Sequence, residues 1–309
     1  MTGSFLVGRG FRTVPRVETR GFSESKIWCC GIYPAGLGSP PTGGEPLTAG
    51  VRASPIGCYA VGRVRIAIIA DVHSNLEALE AVLRHAEGED ALGQVWCLGD
   101  IVGYGPDPAA CLALLRRLDL RCVPGNHDHA AIGLLPTDDF NRDAAAAAHW
   151  TAGQLSPEER HYLENLPHVL REGDFSLVHG TLRWPIWEYL YSPEAALAHL
   201  QRQQTPFGLV GHTHVPMLVV EDERAEEGCQ MHYPADGTTV ELGDKRLIIN
   251  SGGVGQPRDG DRRASYAVYD GDARTVTLHR LEYDIVATQE KMEAAGLPRW
   301  LIYRLSIGQ

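Results

Sequence analysis

"VRIAIIADVHSNLEALEAVLRHAEG" (residues 64–88) decides how the chain folds. Its first seven residues form a continuous apolar, β-branched run, as expected of a strand buried on both faces. Its last fourteen put Leu76, Leu79, Val82 and Leu83 on one helical stripe, with Gly88 available to end the helix. Asp71-Val72-His73 closes the strand between them. A buried strand feeding an amphipathic helix is half of a parallel βαβ unit, and the pattern repeats downstream. "QVWCLGD" (94–100) reads as a second buried strand. "DPAACLALLRRL" (107–118) reads as a helix with Pro108 near its start, where proline is tolerated. "RCVPGNHD" (121–128) reads as a third strand running into a loop. The alternation predicts an α/β fold with parallel strands.

Further along, helices are predicted over 141–155, 156–167, 192–203 and 284–295. The second of these opens with Ser156, Pro157 and Glu159, a capping-box arrangement. A hairpin joins 168–172 to 175–180 across Gly173-Asp174, and a strand at 207–210 runs into a loop. Later strands are expected at 217–222, 245–250, 264–270 and 275–284, with antiparallel pairing. Residues 1–63 differ in kind: they hold 12 Gly and 6 Pro and show no steady hydrophobic period. They are expected to form a poorly ordered N-terminal extension ahead of a single domain over 64–309. "IWCCGIYPAGLG" (27–38) is too interrupted and too late to be a secretory signal.

Of the 309 residues, 44% are hydrophobic and 22% charged, enough for a sizeable core. The net charge of −11 argues against a general nucleic-acid or anionic-membrane binder, which needs a basic footprint. It leaves a small anionic substrate open, because local charge and metals overrule the global sign. Seven cysteines, with no CxxC, fit a reducing cytoplasm. No apolar run approaches the ~20 residues of a membrane span.

In an open α/β sheet, ligands bind outside the carboxyl ends of the strands. Metal-ligating side chains stand at those ends five times: Asp71 and His73, Asp100, Asn126-His127-Asp128, His179, and His212 with His214. Singly the signals are uneven: GD means almost nothing, DxH is weak because a strand-terminal Asp caps helices more often than it binds metal, HxH is moderate, and GNHD is fairly specific. Together, in one register, they form a constellation. The set holds two carboxylates, one amide and four imidazoles without a thiolate, which suits Mn²⁺, Fe, Zn²⁺, Co²⁺ or Mg²⁺ and disfavours a Cys-rich structural zinc. Seven ligands are too many for one ion. Two ions sharing one carboxylate take about four each, and paired metals ~3.5–4 Å apart clamp both oxygens of a phosphoryl displacement.

The order DxH (71–73), GD (99–100), GNHD (125–128), His179 and GHTH (211–214) resembles the calcineurin-like metallophosphoesterases. "ADVHSNLEALEAVL", "CLGDIVGYGPDP", "VPGNHD" and "SGGVGQPRDGDRRASYAVYD" look like its small bacterial and archaeal phosphodiesterase-type branch, over about 64–282. The resemblance implies a two-sheet β-sandwich flanked by helices. It assigns one divalent metal to Asp71, His73, Asp100 and His214, and the other to Asp100, Asn126, His179 and His212, with Asp100 bridging; the ions could be Mn, Fe, Zn, Ni or Mg. It implies a hydroxide between the metals as nucleophile, His127 reaching over the phosphate, and Asp128 orienting His127. His129 receives no role and is expected at the rim or in the following turn.

The implied activity is hydrolysis of small phosphate esters, foremost phosphodiesters. The alternatives are a phosphomonoesterase of protein-phosphatase or dinucleoside-polyphosphate-hydrolase type, or a sensor without chemistry. A homo-oligomer stays open. Arg258, in "GQPRDGD", is a candidate for neutralising phosphate. One departure from the branch pattern is Ser251, where proline is usual, which is expected to loosen a loop near the metals. "TLRWPIWEYLY" (181–191) carries four aromatics directly after His179. These rings either pack an insert into the core or flank the site and stack on a base or aryl group. The remaining histidines read as surface or structural residues.

Overall fold

The computed structural model describes residues 64–309. The expectation for 1–63 lies outside the described residues. The opening motif folds as read: β1 (Arg65–Ile69) leads through a tight turn into α1 (Leu76–Gly88), capped by the Asn75 side chain, which accepts from the Ala78 N–H at 3.1 Å. Then follow β2 (Gln94–Cys97), α2 (Pro108–Leu115) and β3 (Leu120–Cys122), with β1, β2 and β3 parallel.

One expectation changes here. The GNHD motif is not a loop: Asn126 opens a short helix, α3 (Asn126–Ile132). Seven residues are too few to display a 3.6 period, and the preceding Pro-Gly reads as a turn. Next come α4 (Arg142–Gln154), α5 (Pro157–Glu164), β4 (Val169–Glu172), β5 (Phe175–Val178), α6 (Pro193–Leu200), β6 (Phe207–Val210) and β7 (Met217–Glu221). The capping box forms at α5: the Ser156 N–H donates to Glu159 Oε2 at 2.7 Å, and the Glu159 N–H returns to Ser156 Oγ at 3.3 Å. Two short strands unmarked in the sequence follow, β8 (Cys229–His232) and β9 (Thr239–Glu241). The chain ends with β10 (Leu247–Asn250), β11 (Ala264–Asp270), β12 (Thr275–Leu281), α7 (Ile285–Ala294) and the unpredicted α8 (Arg299–Arg304).

The strands form two six-stranded mixed sheets, ordered β3-β2-β1-β11-β12-β9 and β4-β5-β6-β10-β7-β8. The later strands are antiparallel as expected except β10, which runs parallel to β6 and antiparallel to β7. Period-2 alternation explains the continuous apolar run of β1. Ile66 and Ile68 face the other sheet and meet Phe175, Leu177, Phe207 and Leu209 in an inter-sheet core. Ala67 and Ile69 face outward onto Leu79, Val82 and Leu112 of the helices. On the far side, Val210 and Ile248 pack against Ala196 and Leu200 of α6. The architecture is thus an α/β sandwich of two sheets flanked by helices. Ile68 is fully buried, and truncating such a side chain costs about 2–5 kcal/mol.

The sandwich brings strand exits from both sheets to one place. The Asp71 N–H donates to the Gly99 carbonyl at 3.0 Å within the first sheet, and the Gly211 N–H to the His179 carbonyl at 2.8 Å within the second. The His212 N–H crosses between them to Asp71 Oδ1 at 3.1 Å.

Candidate metal centre

Strand exits carry side chains away along the strand direction unless the backbone turns. It turns here through left-handed conformations. Asp71 (φ 54°), His73 (48°), Asp100 (54°), His212 (65°) and His214 (58°) all have positive φ, which is uncommon outside glycine and costs of order 1–3 kcal/mol per residue. Five of the seven predicted ligands share this strain, and each turns its side chain into the same small volume. Gly125 makes room for them: a Cβ there would lie 2.0 Å from Asp100 Oδ1.

Two clusters result. Asp71, His73, Asp100 and His214 offer atoms within 4.8 Å of one another, and so do Asp100, His179 and His212. Asp100 belongs to both. Asn126 joins the second, its Oδ1 lying 3.2 Å from His179 Nε2. All seven side chains are buried.

Each ligand group has one atom fixed by the backbone and another left bare. Asp71 Oδ1 accepts from the His212 N–H and Asp100 Oδ1 from the His127 N–H at 2.8 Å, while Oδ2 of both carboxylates is buried without a hydrogen-bond partner, that of Asp100 lying 3.4 Å from His179 Nε2 and 3.6 Å from His73 Nε2. The imidazoles repeat this pattern. Nδ1 of His73, His179 and His214 lies 3.2, 2.8 and 2.6 Å from the carbonyls of Val102, Leu98 and Gln256, and Nε2 of His212 lies 3.2 Å from that of Trp187. The tautomers that donate to these carbonyls leave the other nitrogen as a lone pair. Those lone pairs face each other: His73 Nε2 to His214 Nε2 at 3.1 Å, and His179 Nε2 to His212 Nδ1 at 3.0 Å. Opposed lone pairs and orphaned carboxylate oxygens in a dry site are costly unless cations lie between them. The residues present fit divalent metals.

The electrostatics agree for three of the four imidazoles. Burial pushes the Asp71 carboxyl up to about 7. At Asp100 burial acts the same way, but His179, His127 and His73 overcome it and hold that carboxyl well below the usual range. Burial keeps His73, His212 and His214 well below the ordinary imidazole value, hence neutral and able to ligate. His179 is the exception: burial lowers it, but Asp100, 3.4 Å from its Nε2, raises it to about 9, so an ion binding there must displace a proton.

His127 sits beside the clusters in α3. Its ring packs between Tyr104 (centroids 4.2 Å apart) and Phe140 (4.9 Å), and its buried Nδ1 has no hydrogen-bond partner. Burial lowers it to about 4. The expected contact from Asp128 is not made. Its Oδ2 accepts from the Gly125 N–H at 2.9 Å and its Oδ1 from the Val102 N–H at 3.0 Å, so it caps α3 and pins the loop after β2. Two backbone donors occupy the carboxylate, and the ring of its chain neighbour projects elsewhere. His129 is neither at a rim nor in a turn: it is buried within α3 with its ring against His168.

Arg258 is half-buried, with its guanidinium 5.7 Å over the Tyr104 ring and Nη2 donating to Gln256 Oε1 at 3.0 Å. Its buried Nε has no partner. The Ser251 segment is pinned rather than loosened: its carbonyl accepts from the Ser265 hydroxyl at 2.7 Å, and the Val254 and Gly255 N–H groups donate back to Ala70 and Asp71. Sequence reasoning missed the role of Asn250. Its amide donates to the Gly211 carbonyl at 2.7 Å and to Thr213 Oγ1 at 2.9 Å, tying down the loop that carries His212 and His214. Its place at a strand end, shared with the predicted ligands, was the available signal. The rings of 181–191 are not core: Trp184, Trp187, Tyr189 and Tyr191 are all exposed, and Tyr189 stacks on His212 at 3.7 Å.

Residues 64–274 match the family model described as the calcineurin-like phosphoesterase superfamily domain. The crystal structure of a metallophosphoesterase from Sphaerobacter thermophilus aligns with a TM-score of 0.73 and 49% identity, over 80% of this chain and 100% of that one. An uncharacterized protein of Methanocaldococcus jannaschii is 38% identical over 249 residues, covering 79% of this chain and 98% of that protein. A symmetrical bis(5'-nucleosyl)-tetraphosphatase of Erwinia tasmaniensis is 34% identical over 88 residues, covering 26% of this chain and 32% of that enzyme.

Proposed function

The chain belongs to the calcineurin-like phosphoesterase superfamily and is a phosphoesterase, and we propose that it hydrolyses small phosphodiesters at a site of two divalent metal ions. One observation carries the two-metal reading: two orphaned carboxylate oxygens and four imidazole lone pairs converge in two clusters that share Asp100. Asp71, His73, Asp100 and His214 would hold one ion, and Asp100, Asn126, His179 and His212 the other. Manganese, iron, zinc, nickel and magnesium are the candidates, since the set is carboxylate, amide and imidazole without thiolate. Bound there, two divalent cations would supply Lewis acidity and positive charge to the ester and to water.

The chain's own residues do the rest. The backbone hydrogen bonds to all four imidazoles and both carboxylates hold the ligands before any ion arrives. His127, fixed through its N–H on Asp100, is kept neutral by burial; taking up a proton alongside the anionic ester, it would stabilise charge on the phosphate and pass that proton to the leaving oxygen. Arg258, with its unpartnered Nε, neutralises the phosphate. Asp128 shapes the loop around His127 through backbone contacts alone. The exposed rings next to His212 support the diester preference, because they offer a surface to the second esterified group.

The buried free thiols Cys97, Cys111, Cys122 and Cys229 support a cytoplasmic setting, and no helix among the described residues is long and apolar enough to cross a membrane. The partial match to the tetraphosphatase favours a second reading, cleavage of a dinucleoside polyphosphate.

The test is hydrolysis of bis(p-nitrophenyl) phosphate against p-nitrophenyl phosphate by metal-stripped protein reloaded with Mn²⁺, Ni²⁺ or Zn²⁺. The diester is expected to win by about tenfold or more in kcat/KM. The reverse ratio identifies a monoesterase, and metal-loaded protein inert to both identifies a sensor.

A further inference from the structure

Four of the exposed large hydrophobic side chains among the described residues come from one eleven-residue segment, 181–191. Hydrogen bonds fold it tightly: the Gly180 N–H donates to the Pro185 carbonyl at 2.7 Å and the Trp187 N–H to the Trp184 carbonyl at 3.2 Å. The Arg183 guanidinium is forked onto the Glu188 carboxylate, with Nε 2.9 Å from Oε1, and Thr181 donates its hydroxyl to the same carboxylate. The exposed rings are therefore held in place by a built scaffold.

They extend from the catalytic imidazoles in two stacked pairs. Trp187 lies parallel to Phe140 at 5.5 Å, and Phe140 reaches the His127 ring at 4.9 Å. Tyr191 lies parallel to Tyr189 at 5.2 Å, and Tyr189 covers His212 at 3.7 Å. Trp187 also lies 6.4 Å from His212, so the two pairs meet at the metal-binding imidazoles. Arg258 stands over Tyr104, the other ring packed on His127. Exposed apolar rings are costly in water unless something covers them. The surface is continuous with groups suited to a phosphate, so its occupant enters joined to that phosphate.

We propose that Trp187, Tyr189 and Tyr191 form a binding subsite for a planar aromatic ring carried by one ester arm of the substrate, a nucleobase or an aryl group. This rests on the phosphoesterase reading above. Stacking of one base on such rings is worth on the order of tenfold or more in affinity.

Three diesters sharing the same methyl ester test it: adenosine 5'-(methyl phosphate), ribose 5-(methyl phosphate) and benzyl methyl phosphate. Wild-type protein is expected to favour the adenosine ester over the ribose ester by about tenfold in kcat/KM. Trp187→Leu and Tyr191→Leu should each shrink that ratio about fivefold or more, while Trp300→Leu, on an exposed ring outside the segment, leaves it unchanged. A benzyl ester as good as the adenosine ester assigns the subsite to rings in general, and a poor one to nucleosides. A wild-type ratio near one, or a ratio untouched in both loop variants, overturns the subsite while hydrolysis of all three leaves the phosphoesterase reading standing. Equilibrium binding of AMP against ribose 5-phosphate reads the same preference without turnover. If no ester is cleaved, AMP binding that is ring-dependent and weakened by Trp187→Leu sustains the subsite and sinks the diester reading. No preference in binding sinks the subsite as well.

Discussion

The two ligand clusters share Asp100 but are not equivalent. The first brings two carboxylates, Asp71 and Asp100, to two imidazoles whose Nδ1 atoms are tied to Val102 and Gln256 carbonyls. The second brings one carboxylate, an amide and two imidazoles, and one of these, His212, lies beneath the half-exposed Tyr189 and takes its orientation from Trp187 in a surface loop. Negative charge favours the first cluster, while the second, equally buried, lies directly beneath side chains of a surface loop. On the proposed two-metal reading, retention of an ion and its exchange with solvent would be divided between two faces of a shared carboxylate.

The sharpest way to break this comparison is Asp100→Asn. It strips the shared ligand, so elemental analysis should find both metals lost and activity at background; one fully retained equivalent would show that Asp100 is not common to the two. Next in size is His127→Ala. It should keep its metals and lose about 10²–10⁴ in kcat, the range of a general acid; loss of both ions would make His127 a ligand instead.

Asn126→Ala separates the clusters. It should retain about one metal equivalent, held by the first cluster, and chelator titration of the wild type should be biphasic for the same reason. A single chelation step with equal loss from both would erase the proposed inequality. The smallest effect is expected from Asn250→Ala, which frees the loop between His212 and His214. Metal affinity should fall about 10–100-fold with the fold intact by circular dichroism, as for other residues that orient ligands.

Much of this was legible in the sequence because buried strands write themselves as apolar runs and their exits are marked by abrupt polarity. Asp71, Asp100, His179 and His212 were readable for that reason. Which orphan atom faces which was not, since it depends on carbonyls of Leu98, Val102, Trp187 and Gln256 that have no side-chain signature. The left-handed φ values at the ligands were equally hidden, because Asp and His are not turn glycines. The edge strands β8 and β9 are too short to show alternation. Asp128 was misread for a related reason: chain adjacency suggests contact with His127, but at the third position of a helix a carboxylate reaches back to the helix start.

The Trp187 carbonyl has a consequence for how such an enzyme can change. The peptide that aims His212 belongs to the same loop whose side chains line the mouth. If His212 and the rings act as proposed, exchanging the loop for one of different length would misdirect a metal-binding imidazole at the same time as it altered selectivity. Specificity would then be changed by replacing the rings at 187, 189 and 191 while the length and path of the loop stay untouched.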